Sequence, residues 1–341
     1  MTRRVNATVT RAGFLTSVQD LGRVGFRQFG VSIGGALDSH ALRIANLLVG
    51  NDESDAGLEI TLGGLQLRFA QERIVAWCGG EFDIRVGSTS LAAGHAVLLR
   101  ANEEMAVNQP KTGCRAWLAI SGGINVPAVL DSRSTDLRAN FGGLNGRALR
   151  DGDEIALGKN SKRAQSLVDL LRAQRVSSWS PPHDWSSPAL RDPVLRIIRG
   201  SDWNRFNDST HHALTTQKFS VTAEADRMGA RLDGPELRRN DDIAGLAAAN
   251  SMDLISEAVV PGTIQVPPGG KPIVLLGDCQ TIGGYPKIAH VISVDLPIAA
   301  QLRPGDRVRF REVSLTEAHR LLAERERDLD QFRLGLQLRS S

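Results

Sequence analysis

Tyrosine occurs once in the 341-residue chain, as Tyr285, cysteine occurs three times, and aromatic residues together make up only 5%. Cys78, Cys114 and Cys279 form an odd set without a C-x-x-C pair, so neither a disulfide framework nor a zinc knuckle is indicated, and a reducing cytoplasm is the simplest setting. No stretch approaches the ~18 apolar residues of a membrane span, and Met1 to Asn6 lacks the apolar run of a secretory signal. A soluble chain that is not exported is therefore expected. Neither sign of charge dominates, since 41 basic residues against 38 acidic ones leave only +3. The most basic stretch, Arg238-Arg239, is soon followed by Asp241 and Asp242, which reads as a solvated face rather than a nucleic-acid surface.

Several catalytic signatures are also missing. Gly269-Gly270-Lys271-Pro272 carries proline where a Walker loop needs a hydroxyl, and no G-x-S-x-G elbow occurs. The seven histidines show no H-x-x-x-H or H-E-x-x-H spacing, so no metal site is expected, and His211-His212 reads as an exposed polar pair. None of the four methionines precedes lysine, the attachment pair of biotin carriers, so biotin would have to arrive on another chain.

Glycine, by contrast, is abundant at 34 residues, and it bounds short apolar segments such as Leu65 to Phe69, Ile74 to Trp77, Val97 to Leu99, Trp117 to Ile120 and Ile273 to Leu276. Segments of this length between turn residues predict strands, many of them covered on both faces. Only three segments read as helical. Ser39 to Val49 has Asp38 as N-cap and Gly50 as stop, and Lys162 to Arg175 precedes a Ser/Pro cluster from Ser177 to Pro188 that reads as a linker. The third begins at Ser314 with Glu317 completing a capping box. Its charged outer face suggests packing along the surface of the second half and leaves a partner-binding role open.

At about 150 residues per domain the length implies two domains. A weak repeat agrees: Leu149-Arg150-Asp151-Gly152-Asp153-Glu154-Ile155 is echoed by Leu302-Arg303-Pro304-Gly305-Asp306-Arg307-Val308, with a looser copy at Leu91 to Val97. A Gly-Asp turn feeding a strand is also a common β-barrel device, so shared turn chemistry accounts for the repeat as well as duplication does.

Three Gly-flanked polar clusters stand out. Thr16 to Arg23 precedes Gly30 to Asp38, where Gly34 and Gly35 ahead of a helix suit an anion, although Asp38 as N-cap competes for the same donors. Asp131 to Asp136, followed by Phe141 to Arg147, sets Ser134 and Thr135 beside Arg133, either to hold a small carboxylate or as a plain turn. The richest stretch, Pro261 to Gln301, gathers Asp278, Gln280, Thr281, Tyr285 and Lys287 around Gly283 and Gly284 where core strands end. Polar groups placed there cost desolvation unless paired, which favours function.

In this order the clusters resemble the family of the C-type component of 5-oxoprolinase, also described as biotin-dependent carboxyltransferase or allophanate hydrolase subunit 2 domains. The pieces are Thr16 to Arg23, Gly30 to Asp38, Ala45 to Asn51, Ser132 to Thr135, Asp226 to Leu232, Gly262 to Pro267 and Asp278 to Lys287. Leu37, Asp131 and Ile282 depart from the family pattern.

The resemblance implies a mainly β chain with a few helices and two cyclophilin-like β-barrel subdomains at 1–160 and 191–312, joined by a helix and linker at 161–190 and ending in a helix at 313–341. It implies an ATP-dependent hydrolase that opens 5-oxo-L-proline to L-glutamate in a cytoplasmic complex. Its partners there would be a small, carboxyltransferase-like B-type component and a third, A-type component of the same 5-oxoprolinase. Asp278, Tyr285 and Lys287 are expected near the reacting atoms. Arg133, Ser134, Thr135, Arg227, Arg231, Gln265, Gln280 and Thr281 are expected to bind substrate, with loops at Gly34, Gly35, Asp38, Gly283 and Gly284 close by. ATP would be bound by this chain or shared with its partners. The rivals are carboxyl transfer from carboxybiotin to a urea-like amide and a regulatory role binding a kinase-inhibitor-like partner.

Overall fold

A computed structural model of the chain describes residues 7–186, 192–240 and 255–340. The expectations for Met1 to Asn6, Ser187-Pro188, Asp241 and Asp242 lie outside them. The chain divides into two compact units. Unit 1 holds the described residues up to Val24, from Gly34 to Ser186 and from Arg327 on; unit 2 holds Gly25–Ile33 and the described residues from Asp192 to Glu326.

Unit 1 is built on a nine-stranded sheet of β1 (Ala7–Ala12), β2 (Leu15–Gln19), β3 (Gly57–Thr61), β4 (Leu65–Phe69), β5 (Arg73–Val86), β6 (Thr89–Leu91), β7 (Val97–Leu99), β8 (Glu104–Ile120) and β9 (Glu154–Ile155). Its main path runs β2-β3-β8-β4-β1-β9, and the long strand β5 pairs with β6, β7 and β8. β4 alternates buried and accessible residues, whereas β5 is buried at every position from Arg73 to Gly80, because α1 (Ser39–Leu48) packs on β5 and β8. Leu58, Ile60, Leu67, Phe69, Ile84 and Leu118 belong to the core thus enclosed. Asp38 caps α1 by accepting the Ala41 N–H at 2.8 Å, and Gly50 takes φ 79° at its end, as expected. α2 (Lys162–Gln174) is capped by Ser161, which accepts the Ala164 N–H.

The Ser/Pro stretch is not a free linker as far as it is described. Ser177 is buried and receives the Ala96 N–H, α3 (His183–Ser186) forms a single turn, and Trp185 packs on His40. Its aromatic and hydroxyl side chains find partners on unit 1, which outweighs the chain-breaking effect of the prolines.

Unit 2 contains β10 (Val194–Arg199), β11 (Phe219–Val221), β12 (Gly229–Asp233), β13 (Glu257–Ala258), β14 (Thr263–Gln265), β15 (Ile273–Leu275), β16 (Ile282–Gly283), β17 (Lys287–Val291) and β18 (Arg307–Glu312). Seven of them close a barrel in the order β10-β17-β14-β15-β12-β11-β18, sealed by parallel pairing of β18 with β10. Leu195, Ile197, Ile264, Val274, Ile288 and Phe310 are buried in this unit. β13 and β16 form a separate two-stranded ribbon.

Three further helices complete the described chain. Asp208–Thr216 (α4) and Leu296–Gln301 (α5) went unforeseen, as did α3, because short helices carry too little apolar periodicity to register. The last helix, α6 (Leu315–Ser340), starts where the Ser314 hydroxyl accepts the Glu317 N–H at 3.1 Å, as expected. From Arg327 it belongs to unit 1 rather than to the second half, with Phe332 against Trp185 and Arg333 paired to Glu53.

The two Gly-Asp turns coincide in detail. Gly152 and Gly305 have φ of 86° and 90°, a region open to glycine at little cost. In each turn the aspartate carboxylate accepts the N–H three residues back: Arg150 to Asp153 at 2.7 Å, Arg303 to Asp306 at 3.0 Å.

Candidate functional site

In unit 1 the hydroxyls beside Arg133 are already engaged. The buried Asp20 carboxylate accepts both the Ser132 and Ser134 hydroxyls at 2.6 Å, the Arg133 N–H at 2.5 Å and the Gly22 N–H at 2.8 Å. Thr135 donates its hydroxyl to the Val18 carbonyl at 3.0 Å. Ser134 and Thr135 have no exposed surface, and their hydroxyls tie this loop to Asp20 and to β2. Arg23 is fully buried as well, donating to the Ser134 carbonyl with its guanidinium 4.5 Å from the Phe141 ring centroid.

Arg133 behaves differently. Its Nε donates to the Val126 carbonyl at 3.1 Å, and the side chain lines a cavity of about 740 Å³ together with Asn125, Asn140, Phe141 and Asn145. A cation among amides and glycine backbone suits a small carboxylate. Nearby Asp55 has its carboxyl pushed above the usual range, mainly by burial, with the Arg133 charge acting against that.

At the helix entrance in unit 1 three backbone donors are already taken. Gly34 and Gly35 take φ of 61° and 77° as an anion-binding loop requires, yet these donors are occupied. Ala36 N–H donates to the Asp20 carbonyl, Leu37 N–H to the buried Glu59 carboxylate, and Ala41 N–H to Asp38. The competition foreseen for Asp38 is won by the protein's own carboxylates.

In unit 2 the richest cluster separates into a clamp and a cationic corner. Arg227 and Asp278 form a two-pronged ion pair at 2.8 and 2.9 Å, with side chains only 5% and 9% exposed. Asp278 N–H also donates to the Arg227 carbonyl, so the pair fastens the turn before β12 to the segment after β15. Asp278, expected near the reacting atoms, and Arg227, expected to bind substrate, are thus paired with each other. Arg231, by contrast, faces solvent and pairs with Glu224 at 3.2 Å.

Lys287 opens β17 directly opposite Gln265 of β14. Its ammonium is 3.2 Å from Asp202 and 2.7 Å from Glu257, and its own N–H donates to Asp202. Burial pulls the ammonium's pKa down, but hydrogen bonds and charge from Glu257 and Asp202 outweigh it, so the pKa lies above the ordinary lysine value. The Asp202 carboxyl is correspondingly held below its usual range: burial opposes this, and the Lys287 hydrogen bonds and charge prevail. Lys287 is thus held in its charged form at neutral pH. Asp202 is buried, whereas the Glu257 side chain is 59% exposed.

Two amides adjoin this corner. Gln280 donates to the Gln265 side-chain oxygen at 3.3 Å, and Gln265 donates to the Tyr285 carbonyl at 3.3 Å. A Cβ at Gly283 would stand 2.6 Å from Gln265 Nε2, so glycine there lets the loop close over the amides. Tyr285 is 45% exposed. The backbone of Thr281 accepts from Val259 N–H and from Arg27 Nη2 at 3.3 Å, so Thr281 contributes through its carbonyl. Cys279 is buried and its thiol is pushed up to about 11, chiefly by desolvation, so it is no nucleophile.

The structure thus brings Lys287, Gln265, Gln280, Gly283 and Tyr285 together in unit 2, leaves Arg133 at its own cavity in unit 1, and engages Ser134, Thr135, Asp38, Arg227, Asp278 and Arg231 in bonds within the chain. Asp20, Asp202 and Glu257 were missed. The local hint for Asp202 is a glycine, Gly200, two residues ahead of it at the end of a strand. Among the described residues no cluster of His, Cys, Asp and Glu could hold a metal ion, and no helix is long and apolar enough to cross a membrane.

Comparisons with known proteins follow the same outline. Residues 29–312 match the family described as "Carboxyltransferase domain, subdomain A and B". The chain is similar to the C-type component of the 5-oxoprolinase of Escherichia coli, strain K12, with 38% identity over 327 residues, 95% of this chain and 96% of that one. The corresponding 5-oxoprolinase component of Haemophilus influenzae is 35% identical over 317 residues, 93% and 94% of the two chains. Among solved structures, the Kluyveromyces lactis urea amidolyase superposes with a TM-score of 0.84 at 29% identity, covering 97% of this chain and 20% of that one.

Proposed function

The chain belongs to the family of carboxyltransferase domains with subdomains A and B, and from that premise we propose that it is one component of a multi-chain, ATP-dependent 5-oxoprolinase. With its A-type and B-type partners it would open 5-oxo-L-proline to L-glutamate. The observation that carries this reading is the end-to-end correspondence with the C-type component of 5-oxoprolinase, against one fifth of the urea amidolyase chain.

A lactam carbonyl is a poor electrophile, and ATP, when bound, would supply the phosphoryl group that activates its oxygen. The residues here suit the charge such chemistry develops. Lys287 contributes a positive charge that does not titrate near neutral pH, and the Gln265 and Gln280 amides add hydrogen-bonding capacity beside it. Exposed Glu257 is the partner that an incoming anion displaces, while buried Asp202 keeps the ammonium in place. Tyr285, at the surface of the same loop, would close over the bound group. The Arg133 cavity would receive a carboxylate.

The test is 5-oxoproline-dependent ADP release by the chain co-expressed with its partners. Release that requires every component supports the reading. Absence of release, with tight binding to the smaller partner alone, would instead indicate a regulatory role. The second enzymatic reading, carboxyl transfer from a carboxybiotin carried by a partner, draws on the superposition with urea amidolyase. A biotinylated protein co-purifying with the chain, and urea-dependent rather than 5-oxoproline-dependent turnover, would establish it.

A further inference from the structure

The Ser/Pro stretch and the last helix, which the proposed chemistry leaves unused, meet in unit 1. Trp179, Asp184 and Trp185 line one part of an open trough of about 650 Å³, with Asp328, Phe332 and Gly335 of α6 lining another. Trp185 sits between Phe332, with ring centroids 6.1 Å apart at 77°, and His40, at 5.7 Å and 64°. Aromatic faces carry partial negative charge and attract cations, most strongly for tryptophan.

The carboxylates add to this field. Asp184 and Asp328 are exposed, and neither has an ion-pair partner among the described residues. Arg333, a nearby cation on α6, is held by Glu53 and Asp330. Gly335 adds an independent sign. In a helix interior glycine is less favourable than alanine, and a Cβ here would meet nothing within 4 Å, so no internal contact requires it. Its effect is to deepen the trough.

We propose that the trough is a docking site for a partner protein, which inserts an arginine or lysine side chain between the rings and the two carboxylates. A protein is favoured over a free cation because the trough is open and apolar surface continues beyond it. Leu334 and Leu338, 58% and 81% exposed, lie on the adjoining strip of α6, where apolar neighbours of the basic residue would rest. The proposal does not depend on which reaction the complex performs.

The probe is the peptide acetyl-Leu-Ala-Arg-Ala-Leu-amide, titrated into the full chain and followed by tryptophan fluorescence, beside its norleucine analogue and benzyltrimethylammonium chloride. Saturable binding of the arginine peptide is expected. It should weaken about tenfold in the Asp184→Asn/Asp328→Asn variant, whose exposed positions leave folding intact, and fall with added salt. Leu334→Ser/Leu338→Ser should weaken the peptide but not benzyltrimethylammonium. Absence of saturable binding, equal binding of the norleucine analogue, or indifference to the aspartate substitutions would overturn the proposal. Benzyltrimethylammonium binding as tightly as the peptide, with no effect of the leucine substitutions, would overturn it in favour of a free cation.

Discussion

The polar clusters at 131–136 in unit 1 and 278–287 in unit 2 look alike in sequence, each mixing hydroxyls, an acid and a cation beside a glycine pair, yet the fold uses them differently. In unit 1 a single carboxylate, Asp20, collects the hydroxyls and N–H groups and leaves only Arg133 facing a cavity. In unit 2 the acid expected to act, Asp278, is consumed by Arg227, while Lys287 stays charged between one buried and one exposed carboxylate. Equal polar density thus leaves a cavity-facing cation in unit 1 and, in unit 2, a cation with one exposed partner.

Removing the central carboxylates should have the largest effects. Asp278→Ala leaves Arg227 buried without its counter-charge, and a loss of about 3–5 kcal/mol is expected, read as a lower denaturant midpoint. Asp20→Ala strands four donors in unit 1 and should cost at least ~3 kcal/mol at roughly 1 kcal/mol or more per buried donor. If either variant kept wild-type stability, the contrast between structural and functional carboxylates would fail. Arg133→Ala, in contrast, should leave the fold intact and raise the KM for 5-oxoproline about tenfold, the size of one lost charge-assisted hydrogen bond. An unchanged KM would remove the unit 1 cavity from substrate binding.

Smaller effects sharpen the comparison. Gly283→Ala crowds the flexible end of Gln265, so turnover should fall several-fold while the melting temperature shifts by only a few degrees for a change of ~1 kcal/mol. The pH dependence follows from the Lys287 and Asp202 shifts. Asp202, with its pKa depressed, contributes stability above about pH 4 that is lost as the pH falls through the folded value. Lys287, with its pKa raised, contributes stability below about pH 10 that is lost as the pH rises through its folded value. The corner should therefore hold across the neutral range, and a loss of stability between about pH 7 and 9 that disappears in Lys287→Met would contradict this.

Local chemistry was legible from the sequence wherever a few consecutive residues decide the outcome. The Asp38 and Ser314 caps, the glycine stop of α1 and the matching Gly-Asp turns all involve partners within a few positions. The partner of the hydroxyl cluster was not legible because Asp20 lies 112 to 114 residues away, nor that of Asp278, because Arg227 lies 51 away. The Ser/Pro stretch looked like a linker because its contacts with His40 and Phe332 are equally distant in sequence. Patterns within a window show that a polar residue is placed with purpose; only the fold shows what it is paired with.

The most direct test of the account is 5-oxoproline-dependent ADP release by the reassembled complex carrying Lys287→Met, with the variant chain shown to be folded and to bind its partners. A fixed positive charge at the barrel corner predicts that release falls at least about a hundredfold, as expected when a stabilising group worth ~2.7 kcal/mol or more in the transition state is removed. Release within twofold of the wild-type rate from that folded, assembled variant would contradict it.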